Sequence, residues 1–280
     1  MFELSDEILK KVIQPRKLNS HKGDYGKLLL IGGNIQYGGA IVLCANAAVH
    51  TGAGLVSVAT HQKNHSPLHA RTPEAMAIDF YDVEKLIKGI RQSDIVVIGC
   101  GLGLEEKSLE ILQLTLQTVK ENQWLIIDGS AITLFAEHHL RLVFPHKTIF
   151  TPHEMEWQRL SGIVINAQAI ERSQLAVNQL GAVVIAKSHQ TKIFYPNDAG
   201  YFLTIGTPAQ ATGGMGDTLA GMIAGILGQF SEDWKESLAC AVYLHSFVAQ
   251  ELAKEDYVVL PSRLVQEIPK TMRKFSGMKR

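Results

Sequence analysis

Strands alternating with helices along most of the chain predict an α/β fold, with a mostly parallel central sheet and helices on both faces. Three observations carry this expectation. Asp94–Gly99 and Ala182–Ala186 are apolar runs of strand length, as expected of parallel strands covered on both sides. Helical spacing follows the strands, as in Leu238, Val242, Ala249 and Leu252, with His245 packed on the same face. A glycine-rich turn then feeds a helix of small residues across Gly206–Gly228.

The elements follow in order. Leu4–Val12 reads as a short amphipathic helix that Pro15 ends. Strand Lys27–Ile31 closes at Gly32-Gly33-Asn34, and Tyr37-Gly38-Gly39-Ala40 leads into helix Ala40–Thr51. That turn suits either a nucleotide phosphate or a tight helix–sheet contact, and it lacks GxGxxG spacing. Leu55–Thr60 is a strand, and His61–His69 reads as a solvated loop because Pro67 opposes a metal-binding helix. A short strand follows Pro73-Glu74-Ala75-Met76. Strand Asp94–Gly99 ends in Gly99-Cys100-Gly101-Leu102-Gly103, where only two glycines fit a dinucleotide fingerprint. Helix Leu104–Glu121, strand Trp124–Asp128 and strand Thr148–Thr151 come next, the last running into Pro152-His153 and an acidic helix start. The string HEMEW is not HExxH, so no zinc site is assigned. Helix Val164–Leu180, strand Ala182–Ala186 and a hairpin of Ile193–Tyr195 with Tyr201–Leu203 follow. Helices Lys235–Lys254 and Leu260–Met272 close the chain, with a solvated basic tail over Lys270–Arg280.

Bulk properties narrow the function classes. The 280 residues fit one large α/β unit, so a single domain over 1–280 is expected. The 27 basic and 27 acidic residues cancel, which argues against a general nucleic-acid or membrane surface. Cys44, Cys100 and Cys240 are scattered and read as buried thiols of a reducing compartment. Met1–Lys17 mixes charged and apolar residues unlike a signal peptide, and the apolar runs are too short to span a bilayer. Cytoplasm is the expected location.

The chemistry concentrates at Thr212-Gly213-Gly214-Met215-Gly216-Asp217. A glycine turn at a helix start leaves backbone N–H groups free, and the helix dipole adds positive potential. Gly213, Gly214, Met215 and Gly216 would form an anion hole, with Asp217 beside it to take a proton from a hydroxyl. Taken alone, the string also reads as a plain turn with Asp217 as a helix-start residue. Leu219, Met222, Ile223, Ile226 and Leu227 mark the buried face, and Gly221, Gly225 and Gly228 form a second stripe suited to close backbone packing.

This string resembles the anion-hole and catalytic-Asp signature of the ribokinase-like superfamily. With Gly206-Thr207-Pro208-Ala209 before it, it resembles the ADP- or ATP-dependent NAD(P)H-hydrate dehydratases, and the likeness extends over most of the chain. The resemblance implies a three-layer ribokinase-like fold, with Asp217 as the base and Gly213–Gly216 as the anion hole. It places Ala40, Gly103, His153 and Asp217 at the substrate, with Glu156 the acidic partner of His153. Lys187, Ser188, His189, Gln190, Thr191 and Gly216 fall where the family binds its nucleotide. Two positions depart from the family pattern: Ser130 stands where a second Asp is usual, and Ser188 where Gly is common.

The activity so implied is removal of water from hydrated NADH or NADPH, with ADP or ATP as phosphoryl donor and Mg2+ accompanying it. A homotetramer is expected, and no metal ligands are assigned. Two rival readings are a small-alcohol kinase of the same fold, which would release a stable phosphate ester, and a non-catalytic nucleotide-binding module, which would not need Asp217. A nicotinamide-dependent oxidoreductase would need a dinucleotide fingerprint that the sequence lacks.

Overall fold

The computed structural model describes residues 1–277. Ten strands form one sheet: β1 (Phe2–Glu3), β2 (Lys27–Ile31), β3 (Leu55–Thr60), β4 (Met76–Asp79), β5 (Ile95–Ile98), β6 (Trp124–Ile127), β7 (Thr148–Phe150), β8 (Val183–Ala186), β9 (Lys192–Tyr195) and β10 (Asp198–Phe202). Their order across the sheet is β1-β10-β9-β8-β7-β6-β5-β2-β3-β4. Only β9 runs antiparallel to its neighbours among the described residues. Chain order reverses between β2 and β5, since β3 and β4 extend the sheet one way and β6 to β8 the other. Such a switch point leaves a crevice beyond the carboxyl ends of the strands, where open α/β sheets bind ligands.

Strand side chains alternate between two cores. Leu28 and Leu30 face one, with Cys44, Leu219 and Leu238, whereas Leu29 and Ile31 face the other, with Leu86, Leu112 and Trp157. The first face is covered by α1 (Glu7–Val12), α2 (Gly38–Thr51), α3 (His65–Arg71), α9 (Met215–Gln229), α10 (Trp234–Leu252) and α11 (Pro261–Phe275). Opposite them lie α4 (Val83–Gln92), α5 (Glu106–Thr118), α6 (Gly129–Glu137), α7 (Glu154–Ser161) and α8 (Ile170–Leu180). Continuous apolar strands are therefore buried on both sides, as their composition requires.

Every residue of α9 from Thr218 to Leu227 is buried. The glycine stripe explains how. A Cβ on Gly221 would lie 2.1 Å from the Cys44 carbonyl oxygen, and one on Gly225 would lie 2.8 Å from Thr51 Cβ. Thus α9 lies against α2 nearly backbone to backbone, which only glycine permits.

Several expectations need correction. His61–His69 is not a loop: a 3-10 turn at Gln62–Asn64 leads into α3. Pro67 is the third residue of α3, where an N–H would have no intrahelical acceptor, so the helix tolerates it. The helix expected from Val164 begins at Ile170, after a separate 3-10 turn at Ile165–Ala167. The helix expected over Leu104–Glu121 shortens to Glu106–Thr118 because Glu105 and Val119 are extended. β1, α4 and α6 occupy stretches for which spacing gave no element. The basic tail is partly structured: α11 continues to a buried Phe275, with Lys270 and Lys274 exposed, and residues 278–280 lie outside the described residues.

The α2–α9 contact is directly testable. Gly221→Ala must displace a backbone carbonyl, and overpacking of this kind costs about 1–3 kcal/mol. Gly89→Ala, mid-helix in α4 with its nearest atoms at 3.4 Å, serves as the control and should be neutral or stabilising. Urea unfolding of both variants checks the contrast, with the midpoint of Gly221→Ala well below the wild type.

Candidate active site

Five loops converge beyond the carboxyl ends of the central strands. The loop after β2 begins at Gly32-Gly33-Asn34 and is tied to the loop after β5, with Gly33 N–H donating to the Cys100 carbonyl at 2.9 Å and Asn34 N–H to that of Gly101 at 2.7 Å. Asn34 Oδ1 accepts the amides of Gln36 and Tyr37, which shapes the turn into α2, and its Nδ2 donates to Glu105. A Cβ on Gly101 would lie 2.9 Å from Ala40 Cβ, so Ala40 and the Gly101–Gly103 turn form one wall. Gly103 has φ +88 and donates its N–H to Ser130 Oγ at 3.2 Å. The serine that departs from the family pattern thus anchors the Gly101–Gly103 turn.

On the other side, the backbones of β7 and β8 are prolonged by a parallel bridge between His153 and Lys187. His153 caps α7: its Nδ1 accepts the amides of Met155 and Glu156, while Glu156 Oε2 accepts the His153 amide at 2.9 Å. An accepting Nδ1 leaves the proton of a neutral imidazole on Nε2, which lies 3.4 Å from Glu156 Oε1. Burial pushes the Glu156 carboxyl above its ordinary range, against the opposing pull of Lys187. Beyond Lys187 the chain turns, with Gln190 N–H donating to Ser188 Oγ and Thr191 Oγ1 to the Ser188 carbonyl. A hollow lined by His153, Trp157, Lys187 and Ser188 opens beside this turn.

Between the two sides sits α9. Gly214 is its N-cap with φ +98, and a Cβ there would meet Leu43 Cδ1 at 2.4 Å. A Cβ on Gly216 would lie 3.1 Å from Lys187 Nζ, so the ammonium rests over the first turn of the helix. Asp217, in that turn, has its carboxyl pushed up to about 6. Burial is the main cause and the charge of Asp128 adds to it, while contacts with Cys100 and Lys187 oppose the rise.

Asp128, at the end of β6, is buried to 2% exposure yet stays ionised. Burial opposes its charge, but Lys187 Nζ at 2.8 Å and Thr151 Oγ1 at 2.6 Å, both donating to Oδ1, hold it below the usual carboxylate range. The reciprocal effect holds for Lys187. Burial works against its charge, but Asp128 and Glu156 keep it above the ordinary lysine value. The Cys100 thiol lies between the acids, donating to Asp128 Oδ2 at 3.7 Å and contacting Asp217. Its contact with Cys44, and then burial, keep that thiol protonated.

Cys100, Asp128 and Asp217 hold ligand atoms within 4.8 Å of one another, yet they fit Mg2+ poorly. A hard cation takes oxygen ligands, whereas one donor here is a thiol and Asp128 Oδ1 is already shared by Lys187 and Thr151. Another cluster lies behind the helix start. His245 of α10 is buried against the Met215 backbone, where burial lowers its pKa to about 4 and keeps the ring neutral.

The structure therefore gathers Ala40, Gly103, His153, Lys187 and the Gly213–Asp217 turn along one edge of the sheet. Asn34, Cys100, Asp128 and Thr151 join them as side chains that motif reading did not assign to the site. Asp128, Thr151 and Lys187 share a signal that spacing alone does give: each ends a strand or follows one directly at the ligand-binding edge.

Comparison with known proteins gives a consistent result. The model of the family described as NAD(P)H-hydrate dehydratase matches residues 28–270. An ADP-dependent (S)-NAD(P)H-hydrate dehydratase of Lactococcus lactis is 58% identical over 275 residues, covering 98% of this chain and 99% of its own length. The crystal structure of a ribokinase-like superfamily protein from Enterococcus faecalis superposes with a TM-score of 0.96 at 48% identity, covering 98% of this chain and 96% of that one. An ADP/ATP-dependent NAD(P)H-hydrate dehydratase of Bacillus subtilis, co-crystallised with ATP/Mg2+, gives 0.86 at 27% identity and covers 98% of both chains. With a ribokinase-like fold and a family match spanning most of its length, the chain belongs to the NAD(P)H-hydrate dehydratase family.

Proposed function

We propose that this protein is an ADP-dependent (S)-NAD(P)H-hydrate dehydratase, a lyase that restores NADH or NADPH from the forms hydrated at ring carbon six. The observation that carries the mechanism is the pairing of a raised, half-buried carboxylate at Asp217 with the free amides of the α9 start. Hydroxide leaves poorly, since water has a pKa of roughly 15.7. A phosphate monoester, with a second ionisation near ~6, leaves far more readily. On this reading Asp217 takes the proton of the ring hydroxyl, whose oxygen attacks the terminal phosphorus of ADP, and AMP departs. The Gly213–Gly216 amides hold the transferring group. The ring nitrogen's lone pair then expels phosphate, and the resulting iminium ion loses a proton from ring carbon five to water, giving NAD(P)H, AMP and inorganic phosphate.

The remaining roles complete the reading. Ala40, Gly103 and His153 face the hydrated nicotinamide nucleotide. Lys187, with Ser188, His189, Gln190, Thr191 and Gly216, holds the phosphates and nucleoside of ADP, and Lys suits a phosphate as a mobile point charge. Mg2+ enters with the nucleotide's phosphates, and no step is assigned to it. A single domain over 1–280, a cytoplasmic location and a homotetramer complete the proposal. Support for association comes from exposed apolar side chains such as Leu18, Tyr257 and Leu260. No helix among the described residues is long and apolar enough to cross a membrane. High identity to relatives bearing the dehydratase name weighs against the small-alcohol kinase.

Three measurements test these assignments. Hydrated NADH plus ADP should regain the absorbance of NADH, and Asp217→Asn should lower that rate by about 10²–10⁴, the contribution of a positioned general base. Because the base acts deprotonated, kcat/KM should rise with pH through about 6 and level off above it. Because its native pKa is raised, Asp217 costs stability as pH climbs from the ordinary carboxylate range through about 6, and the loss is complete above that, so Asp217→Asn should melt no lower than wild type at neutral pH. Near-native turnover in that variant would remove the base from the mechanism.

Nucleotide binding is tested by melting. ADP at ~100 times its dissociation constant should stabilise the fold by about 2.7 kcal/mol, and curves unmoved by millimolar ADP and ATP would contradict the nucleotide site. For assembly, light scattering should give about four times the 30.8 kDa chain mass, and a monomer at micromolar concentration would refute the tetramer.

A further inference from the structure

The proposed mechanism gives no task to Asp128, although it is the most completely buried acid of the site. Its Oδ1 binds Lys187 Nζ at 2.8 Å and Thr151 Oγ1 at 2.6 Å, and its Oδ2 receives the Cys100 thiol. Cys100 also contacts Asp217, so one thiol separates the two carboxylates. Lys187 is the cation they share, and it also rests over Gly216, where the nucleotide's phosphates are placed. A lysine side chain is flexible and keeps 18% exposure here, so its ammonium has room to move between carboxylate and phosphate.

We propose that Asp128 is a positioning residue for proton transfer: it stores Lys187 in the free protein, gives it up to the bound nucleotide, and thereby turns an uncompensated negative charge toward Asp217. The inference rests on Asp217 acting as the base. Charge bookkeeping makes the device physical. While Lys187 sits on Asp128, the ammonium offsets part of the push that the Asp128 charge exerts on Asp217. Once the ammonium turns to phosphate, Asp128 faces Asp217 across the Cys100 thiol, and a like charge strengthens a carboxylate as a base. Proton affinity then rises when a phosphoryl donor is in place.

The groups facing Asp217 come from several elements. Asp128 follows β6 and Lys187 follows β8; Cys100 follows β5, with Cys44 of α2 behind it. Glu156 of α7, held by His153, faces Lys187 and Asp128, and His245 of α10 lies under the helix start as a neutral ring. Of these, Asp128 is the acid that acts directly on Asp217, and its removal should therefore be visible in the acid limb.

The test is the pH profile of kcat/KM for hydrated NADH at saturating ADP, with ADP affinity measured by calorimetry. In Asp128→Asn the acid limb should move down by about one pH unit, the scale of a single nearby charge. ADP should bind that variant more tightly, because Lys187 no longer has a competing carboxylate. Asp128→Glu, which keeps the charge, should restore both properties toward wild type. A folded Asp128→Asn protein with an unmoved limb, or with weaker ADP binding, overturns the proposal. If that variant does not fold, the wild type decides: the 15Nζ resonance of Lys187, assigned by its loss in Lys187→Met, should shift on adding ADP, and an unmoved resonance overturns the handover. Asp217→Asn separates the two failures. Retained turnover there defeats the underlying base assignment, whereas lost turnover with an unmoved limb in Asp128→Asn defeats this inference alone.

Discussion

The near contact of α9 with the backbone of α2 is the constraint on which the site depends. With a side chain in place of Gly221 or Gly225, α9 would stand farther from α2, and its N-terminus would be displaced from its place beside Lys187. The same stripe makes room for a helix buried along its whole middle. Burial has an electrostatic result as well as a packing one. Asp217 is carried into a site poor in water, where its proton affinity rises to a value useful at neutral pH.

Charge in the crevice is balanced by one cation shared among three acids. Lys187 bonds Asp128, faces Glu156 and overlies the turn that holds Asp217. Buried ion pairs add little net stability, because desolvation offsets their attraction. Their retention at the ligand edge is better explained by chemistry than by folding. Thr151 and Cys100 satisfy the remaining acceptor sites of Asp128, so the acid keeps a fixed orientation whatever Lys187 does.

Much of this was legible in the sequence. Continuous apolar strands marked the parallel sheet, and the glycine stripe marked the close helix contact. The Gly213–Asp217 turn stood out by residue type and position, whereas Lys187 drew notice only through the family resemblance. Other features were hidden because they depend on pairing distant in the chain. Asn34 gains its role from Glu105, and Asp128 from Thr151 and Lys187, partners that no local period reveals. α3 escaped because Pro67 falls in the first turn, where proline does not break a helix.

The cap on α7 limits what His153 can offer a ligand. Its Nδ1 is committed to two backbone amides, so the ring can present only Nε2–H, a donor. On the proposed assignment of His153 to the substrate, the group that meets this imidazole must therefore be an acceptor, such as a phosphate or carbonyl oxygen. Glu156 Oε1 at 3.4 Å is the acceptor it faces in the free protein. A ligand placed there would compete with that carboxylate, so recognition under the proposed assignment would be an exchange of acceptors on a ring already locked in place by the helix it starts.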